Sequence, residues 1–325
     1  MPIALKEDLR LLTADQLGIG SIAAAGTSHA STALDAPRLA SDDPEVDQIR
    51  HLLQIFGGVI LSGPPGTSKS FLAAEAARHL TDNDPARQAY VQFHASYQFE
   101  DFMEGFRPDP KNVGTFVQHD GVFLRMLDKA AKSPDKTYVL VIDELSRADV
   151  GRVFGEALTY IEKSKRHLQF QLPSGRVMVI PHNLYVIATM NPLDRGVDEV
   201  DAAFERRFAK IAMDPDEGKL AAIVSDNLHP VTRDRLLAWF RMVNGRAQGN
   251  PAAAVGHAYF AGVGDEDGLQ EVWDYQLRYL IDRAFQFDRE AHKDVVAGWH
   301  RIFSEIRTED ESAADAVLDA LVEQA

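Results

Sequence analysis

Five short apolar runs, each ending in glycine or polar residues, constrain this chain more than any other feature: Val59–Ser62, Ala89–His94, Tyr138–Ile142, Leu184–Thr189 and Lys210–Met213. Helical patterns separate most of them. A strand without polar alternation is buried on both faces, and strands of that kind joined through helices build a parallel sheet with helices on both sides. The expected fold class is α/β, with a five-stranded parallel sheet.

Weaker signals fill in the rest. HLQFQL and VMVIP flank Pro173-Ser174-Gly175-Arg176, a pattern that predicts a β-hairpin, and Val113–Val122 predicts a second one around TFVQHD. Asp43 is placed to cap a helix over Glu45–Phe56, with Pro44 in its first position. After Pro215 the strand signal fades into amphipathic helices over Leu220–Leu228, Thr232–Val243, Trp273–Phe285 and Glu309–Gln324. Residues 1–17 carry leucines at helical spacing, and 18–44 are small and polar like a linker. The expected division is 1–44 helix and linker, 45–213 α/β core, and 214–325 a smaller helical domain.

Composition excludes several chemistries. With no cysteine there is no disulfide, thiolate nucleophile or cysteine-ligated metal, and a cytoplasmic location is expected. No run of about 18 apolar residues predicts a membrane span, and the first residues lack the apolar core of a signal peptide. The net charge of −15 argues against binding nucleic acid over a broad surface, so any such contact would be limited to a local basic patch such as a pore loop.

The first apolar run leads into VILSGPPGTSKS and then the helical pattern FLAAEAARHL. A strand, a Gly/Pro loop and a helix opening on Lys-Ser form a triphosphate cradle. Gly63, Pro64, Pro65, Gly66, Thr67, Ser68, Lys69, Ser70 and Phe71 form the loop and helix start, whose N–H groups (the two prolines have none and only shape the loop) surround the phosphates. Lys69 reaches the phosphates, and the Ser70 hydroxyl binds Mg²⁺. Ser68 stands where the usual pattern has glycine. Seventy-four residues after Lys69, YVLVIDE ends a buried run with two acids. Asp143 suits the Mg²⁺ shell and Glu144 suits a base that orients the attacking water. Asn191 follows the fourth run, and Arg206 and Arg207 come fifteen residues later, ahead of the fifth. Either arginine could be a finger stabilising transition-state charge in a neighbouring subunit's site.

This order of motifs resembles the AAA+ superfamily, with Gly63–Ser70 similar to Walker A, Tyr138–Glu144 to Walker B, Asn191 to sensor 1, and Arg206/Arg207 to the finger region. Within it, FHASYQFEDFMEGFRP at 93–108, IDELSRADVGRVFGEAL at 142–158, IATMNPLDR at 187–195 and VGHAYF at 255–260 resemble the McrB-like branch, the motor of modified-cytosine restriction systems. The MoxR-like branch, of chaperone ATPases, shares the motif order and the hairpins. The likeness covers about residues 45–285. It implies an oligomeric nucleotide motor: a homo-oligomer, typically a hexameric ring, using Mg²⁺ and ATP or GTP, and driving a partner on another chain, with a McrC-like nuclease favoured. Arg147, Asp194 and Arg195 match family positions near the subunit interface.

Three departures bear on those implications. McrB-like proteins typically read Met-Asn-Thr-Ala-Asp-Arg-Ser where this chain has Met190-Asn191-Pro192-Leu193-Asp194-Arg195-Gly196, which turns the expectation slightly toward ATP. The restriction motor carries a DNA-reading domain ahead of its core, and 44 residues are too few for one. The helical region has no clear sensor-2 motif, with Arg233, Arg235 and Arg241 as candidates, while His257 and Tyr259 read as a packed turn. A chaperone ATPase and a nucleotide-gated scaffold with little hydrolysis remain as alternatives.

Overall fold

In a computed structural model, the described residues are 39–40, 42–112, 114–192 and 202–304. The expectations for residues 1–17, 18–38 and 309–324, and for Asp194 and Arg195, lie outside them.

Helix α1 (Pro44–Phe56) starts as its sequence predicts: Asp43 accepts from the N–H groups of Glu45 and Val46, with proline in the first turn. It ends at Gly57, left-handed at φ +81. Then follow β1 (Gly58–Ser62), α2 (Lys69–Leu80), β2 (Gln88–Gln92), α3 (Phe99–Phe102), β3 (Glu104–Pro108), β4 (Phe116–Asp120), α4 (Val122–Lys132) and β5 (Tyr138–Asp143). Next come α5 (Val150–Phe154), α6 (Ala157–Tyr160), β6 (Phe170–Gln171), β7 (Val177–Met178), β8 (Leu184–Met190), α7 (Ala202–Glu205) and β9 (Ala209–Ala212). Helices α8 (Glu217–Ile223), α9 (Pro230–Ala247), α10 (Glu266–Val272), α11 (Arg278–Ala284) and α12 (Arg289–Ile302) complete the described chain.

The sheet is the expected one. Five strands run in the order β2-β5-β8-β1-β9, and every pairing is parallel. Strand β1, between β8 and β9, is buried throughout, so its C-terminal end is where both neighbours and a following loop can converge. In open parallel sheets that edge is where ligands bind. No helix among the described residues is long and apolar enough to cross a membrane.

The described residues from Ala40 onward make one compact unit containing two hydrophobic cores. One is built on the sheet and includes Phe93, Phe102, Phe123, Phe154 and Phe204. The other lies among the helices after Met213 and centres on Trp239, Trp273 and Trp299. In it, Trp273 stacks on Trp299 at 4.8 Å and Trp239 meets the same ring edge-on at 4.8 Å.

The differences from expectation are local. Strand β2 ends at Gln92, two residues before the predicted His94. The first hairpin is larger than predicted: β4 lies within 113–122, but its partner β3 begins at Glu104, and the two pair from Glu104↔Asp120 to Pro108↔Phe116. The second forms as predicted, with Phe170↔Met178 and Gln171↔Val177. Helix α8 stops at Ile223 instead of reaching Leu228. The helical stretch predicted from Trp273 begins upstream at Glu266 and passes through one π turn at Trp273–Leu277. Such a turn inserts one residue and shifts the faces beyond it, leaving Trp273 in the core and Tyr275 in solvent.

Two polar anchors set the hairpins and the sheet. Buried Glu104 accepts from the N–H and hydroxyl of Ser174, at 2.9 and 2.8 Å, and from Gln118 at 2.9 Å, clipping the two hairpins together. Arg176 on the second hairpin pairs with Asp120 on the first. Arg166, only 1% exposed, donates to the carbonyls of Ile161 (3.1 Å), Gly57 (2.9 Å) and Leu184. Burial pushes its guanidinium down to about 10, still charged at neutral pH.

Candidate nucleotide site

The loop leaving β1 is shaped by close approach. A Cβ on Gly63 would lie 2.0 Å from the Met213 carbonyl, so only glycine lets the end of β9 pass there. Gly63 N–H also donates to Met190 at the end of β8, and Met213 N–H donates to Ser62. Both neighbouring strands are therefore fastened where the loop begins. Buried Thr67 donates its hydroxyl to the Pro64 carbonyl at 2.9 Å, and Lys69 Nζ crosses the loop to the same carbonyl at 2.7 Å. Pro65 is exposed on the rim, and Phe71 sits half-buried in the first turn of α2.

Ser68, the last loop residue, is left-handed at φ 61 and ψ 22. For a non-glycine residue that backbone costs about 1–2 kcal/mol. Its hydroxyl lies 3.1 Å from Nε2 of His257, a residue 189 positions away in the helical region. Such a bond returns about 1 kcal/mol net.

The acids predicted to serve the metal and the water stand where the sequence placed them. Asp143 Oδ1 accepts from the Ser70 hydroxyl at 2.8 Å and from the Thr189 hydroxyl. Thr189 Oγ1 in turn accepts from Glu144 N–H at 3.2 Å. Glu144 is itself left-handed at φ 56, a strained backbone of the kind that persists where the surroundings hold it. Its carboxylate lies 3.4 Å from Arg147 Nε, a partly exposed pair that contributes little to stability. The oxygen-only set of Ser70 and Asp143 fits Mg²⁺, which keeps much of its shell for water and phosphate. Among the described residues no group of three His, Cys, Asp or Glu could hold a metal without such help.

Asn191 lines a cavity of about 990 Å³ together with Pro65, Arg147, Tyr259, Tyr279 and Arg283. That volume is at the upper end of what small-molecule sites occupy. The two arginines of the finger region differ sharply. Arg206 is exposed just after α7, whereas Arg207 is 8% exposed, between the buried Phe204 and Phe208 in the chain. Arg207 lies near Glu162, whose carboxyl is held below the ordinary range by Ser164 and Lys165 first and by Arg207 last.

Of the helical-region arginines singled out in the sequence, Arg235 donates to the carbonyls of Ile302 and Ser304 and Arg241 pairs with Glu217 at 2.9 Å. Arg233 lies 3.6 Å from Asp234. None of the three lines the cavity, and Arg283 does.

The turn expected only to pack does more. Ala258 N–H donates to the Gly66 carbonyl at 2.8 Å, and a Cβ on Gly66 would lie 2.7 Å from the Tyr259 ring. A Cβ on Gly256 would meet the Gly66 carbonyl at 2.0 Å. His257, 1% exposed, accepts at Nδ1 from Asp216 N–H, 3.3 Å away. Burial lowers its pKa, as does Lys219, while Asp216 and Glu45 act in the opposite direction. The ring is therefore neutral near pH 7, with its hydrogen on Nε2 and directed at Ser68.

Comparison with known proteins agrees with this geometry. The family model for the AAA domain of the dynein-related subfamily matches residues 58–208. The Type IV methyl-directed restriction enzyme EcoKMcrB subunit of Escherichia coli is 38% identical over 177 residues, 52% of this chain and 38% of that protein. The Type II restriction enzyme BsuMI component YdiS of Bacillus subtilis is 26% identical over 189 residues, 46% of this chain and 55% of that protein. The chain thus spans between about two fifths and a little over half of these relatives. A crystal structure from Cytophaga hutchinsonii superimposes with a TM-score of 0.37 at 16% identity, over 70% of this chain and 82% of that one, too distant to compare in detail.

Proposed function

Because this chain is a McrB-like AAA+ protein, we propose that it is an oligomeric, Mg²⁺-dependent nucleoside triphosphatase that drives an effector on another chain. The observation that carries the reading is the convergence of Ser70 and Thr189 on Asp143 beside Lys69 and the loop N–H groups. In this reading the loop and the start of α2 bind the β- and γ-phosphates and Lys69 neutralises them. Ser70 and Asp143 hold Mg²⁺, which when bound supplies charge stabilisation at the phosphates. Glu144 receives a proton from the attacking water, Asn191 orients that water, and Arg206 from a neighbouring copy meets the developing charge.

ATP is favoured over GTP because Met190-Asn191-Pro192 departs from the segment tied to guanine-nucleotide use in McrB-like proteins. A hexameric ring, a McrC-like nuclease partner and a role in restriction or antiviral defence follow from the same resemblance. The relatives' description as a subunit and a component of restriction enzymes supports a partner chain. A nucleotide-gated scaffold is the second reading, favoured by the left-handed Ser68.

The test is hydrolysis of ATP and GTP side by side, with Mg²⁺, over a range of protein concentrations. Turnover that rises with concentration supports the motor. Glu144→Gln should bind nucleotide and not turn it over; normal hydrolysis by that variant would remove Glu144 from its role. Binding without turnover in the parent protein would favour the scaffold.

A further inference from the structure

The helical region touches the phosphate loop at Gly66 and at Ser68, two positions apart, and the two contacts differ in kind. At Gly66 the contact is backbone and packing: the Ala258 N–H bond and the Tyr259 ring. At Ser68 it is a side-chain bond from His257. The second contact falls on the one loop residue whose backbone is strained. A serine released from His257 gains by leaving the left-handed region, and the peptide joining it to Lys69 then turns. That peptide opens helix α2, where the N–H groups of an anion cradle are presented.

Resting on the reading of this loop as the triphosphate cradle, we propose that His257 is a positioning residue, which holds Ser68 left-handed and so makes nucleotide affinity depend on how the helical region sits on the loop. Three features support this. The imidazole is fixed from behind by Asp216 N–H, which sets its tautomer. Its surroundings are fixed too, since Lys219 bonds both carboxylate oxygens of Glu45 at 2.7 Å, tying α8 to α1. Finally, Gly256 leaves no room between the turn and the Gly66 carbonyl, so His257 cannot withdraw from Ser68 without the whole turn moving. Serine at position 68 is thereby a coupling device: a glycine there would adopt the same backbone without help, and the loop would be indifferent to the helical region.

The experiment is a binding cycle on the full chain with Mg²⁺ and fluorescently labelled ATP and GTP, with thermal melts as the folding control. Ser68→Ala keeps the Cβ and loses the bond, so it should weaken binding about tenfold, equivalent to about 1.4 kcal/mol. Ser68→Gly loses both bond and strain and should bind several-fold more tightly than Ser68→Ala. His257→Ala should weaken binding about tenfold in the parent and less than about twofold on top of Ser68→Gly. A side chain that merely packs the helical region would give equal losses in both backgrounds, and that additive result overturns the proposal. Should His257→Ala not fold, Ser68→Ala against Ser68→Gly decides alone, and equal affinities for those two overturn it. If the parent binds neither nucleotide, the cradle reading fails and this inference fails with it; tight parental binding with an additive cycle removes this inference only.

Discussion

Thr189→Val tests the arrangement at the end of β8, because it exchanges one hydroxyl for a methyl at a side chain 2% exposed. Shape is preserved, so the cost comes from two hydrogen bonds. The hydroxyl donates to the Asp143 carboxylate, and a bond to a charged group contributes about 1.5–3 kcal/mol. It also accepts from the half-buried Glu144 N–H, and leaving such a donor unmatched costs about 1–3 kcal/mol. Ser70 remains on Asp143 at 2.8 Å, and the added methyl returns about 0.8 kcal/mol. The net loss is about 2–5 kcal/mol, a fall in melting temperature of about 4–10 °C for a unit this large. Turnover should fall further than stability, since Glu144 loses the bond that holds its left-handed backbone, while nucleotide binding persists. Thr189→Ser supplies the contrast: both bonds survive, a methyl is lost at about 1 kcal/mol, and turnover is retained. Equal turnover losses in the two variants, or parental turnover in Thr189→Val, would refute the reasoning.

Other expectations follow from burial. Arg206→Ala should abolish hydrolysis without changing the melt, whereas Arg207→Ala should lower the melting temperature first, because Arg207 is 8% exposed; hydrolysis assays beside melts separate the two. Arg166→Met leaves three carbonyls without their guanidinium and should cost about 2–4 kcal/mol, read from urea midpoints. The lowered pKa of His257, set among Lys219, Asp216 and Glu45, means that the unfolded chain takes up a proton before the folded one does. Stability should be complete above about pH 6.5, the ordinary histidine value, and decline as pH falls below it; melts of His257→Gln should lack that limb.

What the sequence conveyed was whatever depends on neighbours in the chain. Uniformly apolar strands, the Asp43–Pro44 cap and the Gly63–Ser70 and Asp143–Glu144 pairs are local patterns, and they sit where they were expected. Strand β3 was hidden because Glu104-Gly105-Phe106-Arg107-Pro108 carries a glycine and a proline, both poor in strands; its pairing to β4 is a nonlocal property. The π turn has no sequence signature in Trp273–Leu277. Thr189 did leave a trace, as a polar residue ending a buried run, but only the register of β5 beside β8 shows that it meets Asp143. Ser68 and His257 are each unremarkable alone, and 189 residues of chain separate them. Arg206 and Arg207 differ by burial, which a dipeptide cannot announce.

The Glu104 clip has a mechanical consequence. Because it joins the two hairpins, a pull on exposed Phe106 or Phe116 is shared with the second hairpin instead of unfolding the first. The second hairpin leads directly into β8, seven residues long and about 23 Å at about 3.3 Å per residue. That strand is held by parallel neighbours on both sides, so it transmits displacement along its axis like a stiff rod. Its far end is Thr189 and Met190, next to Asn191, which makes the hairpins and the groups proposed for hydrolysis two ends of one lever.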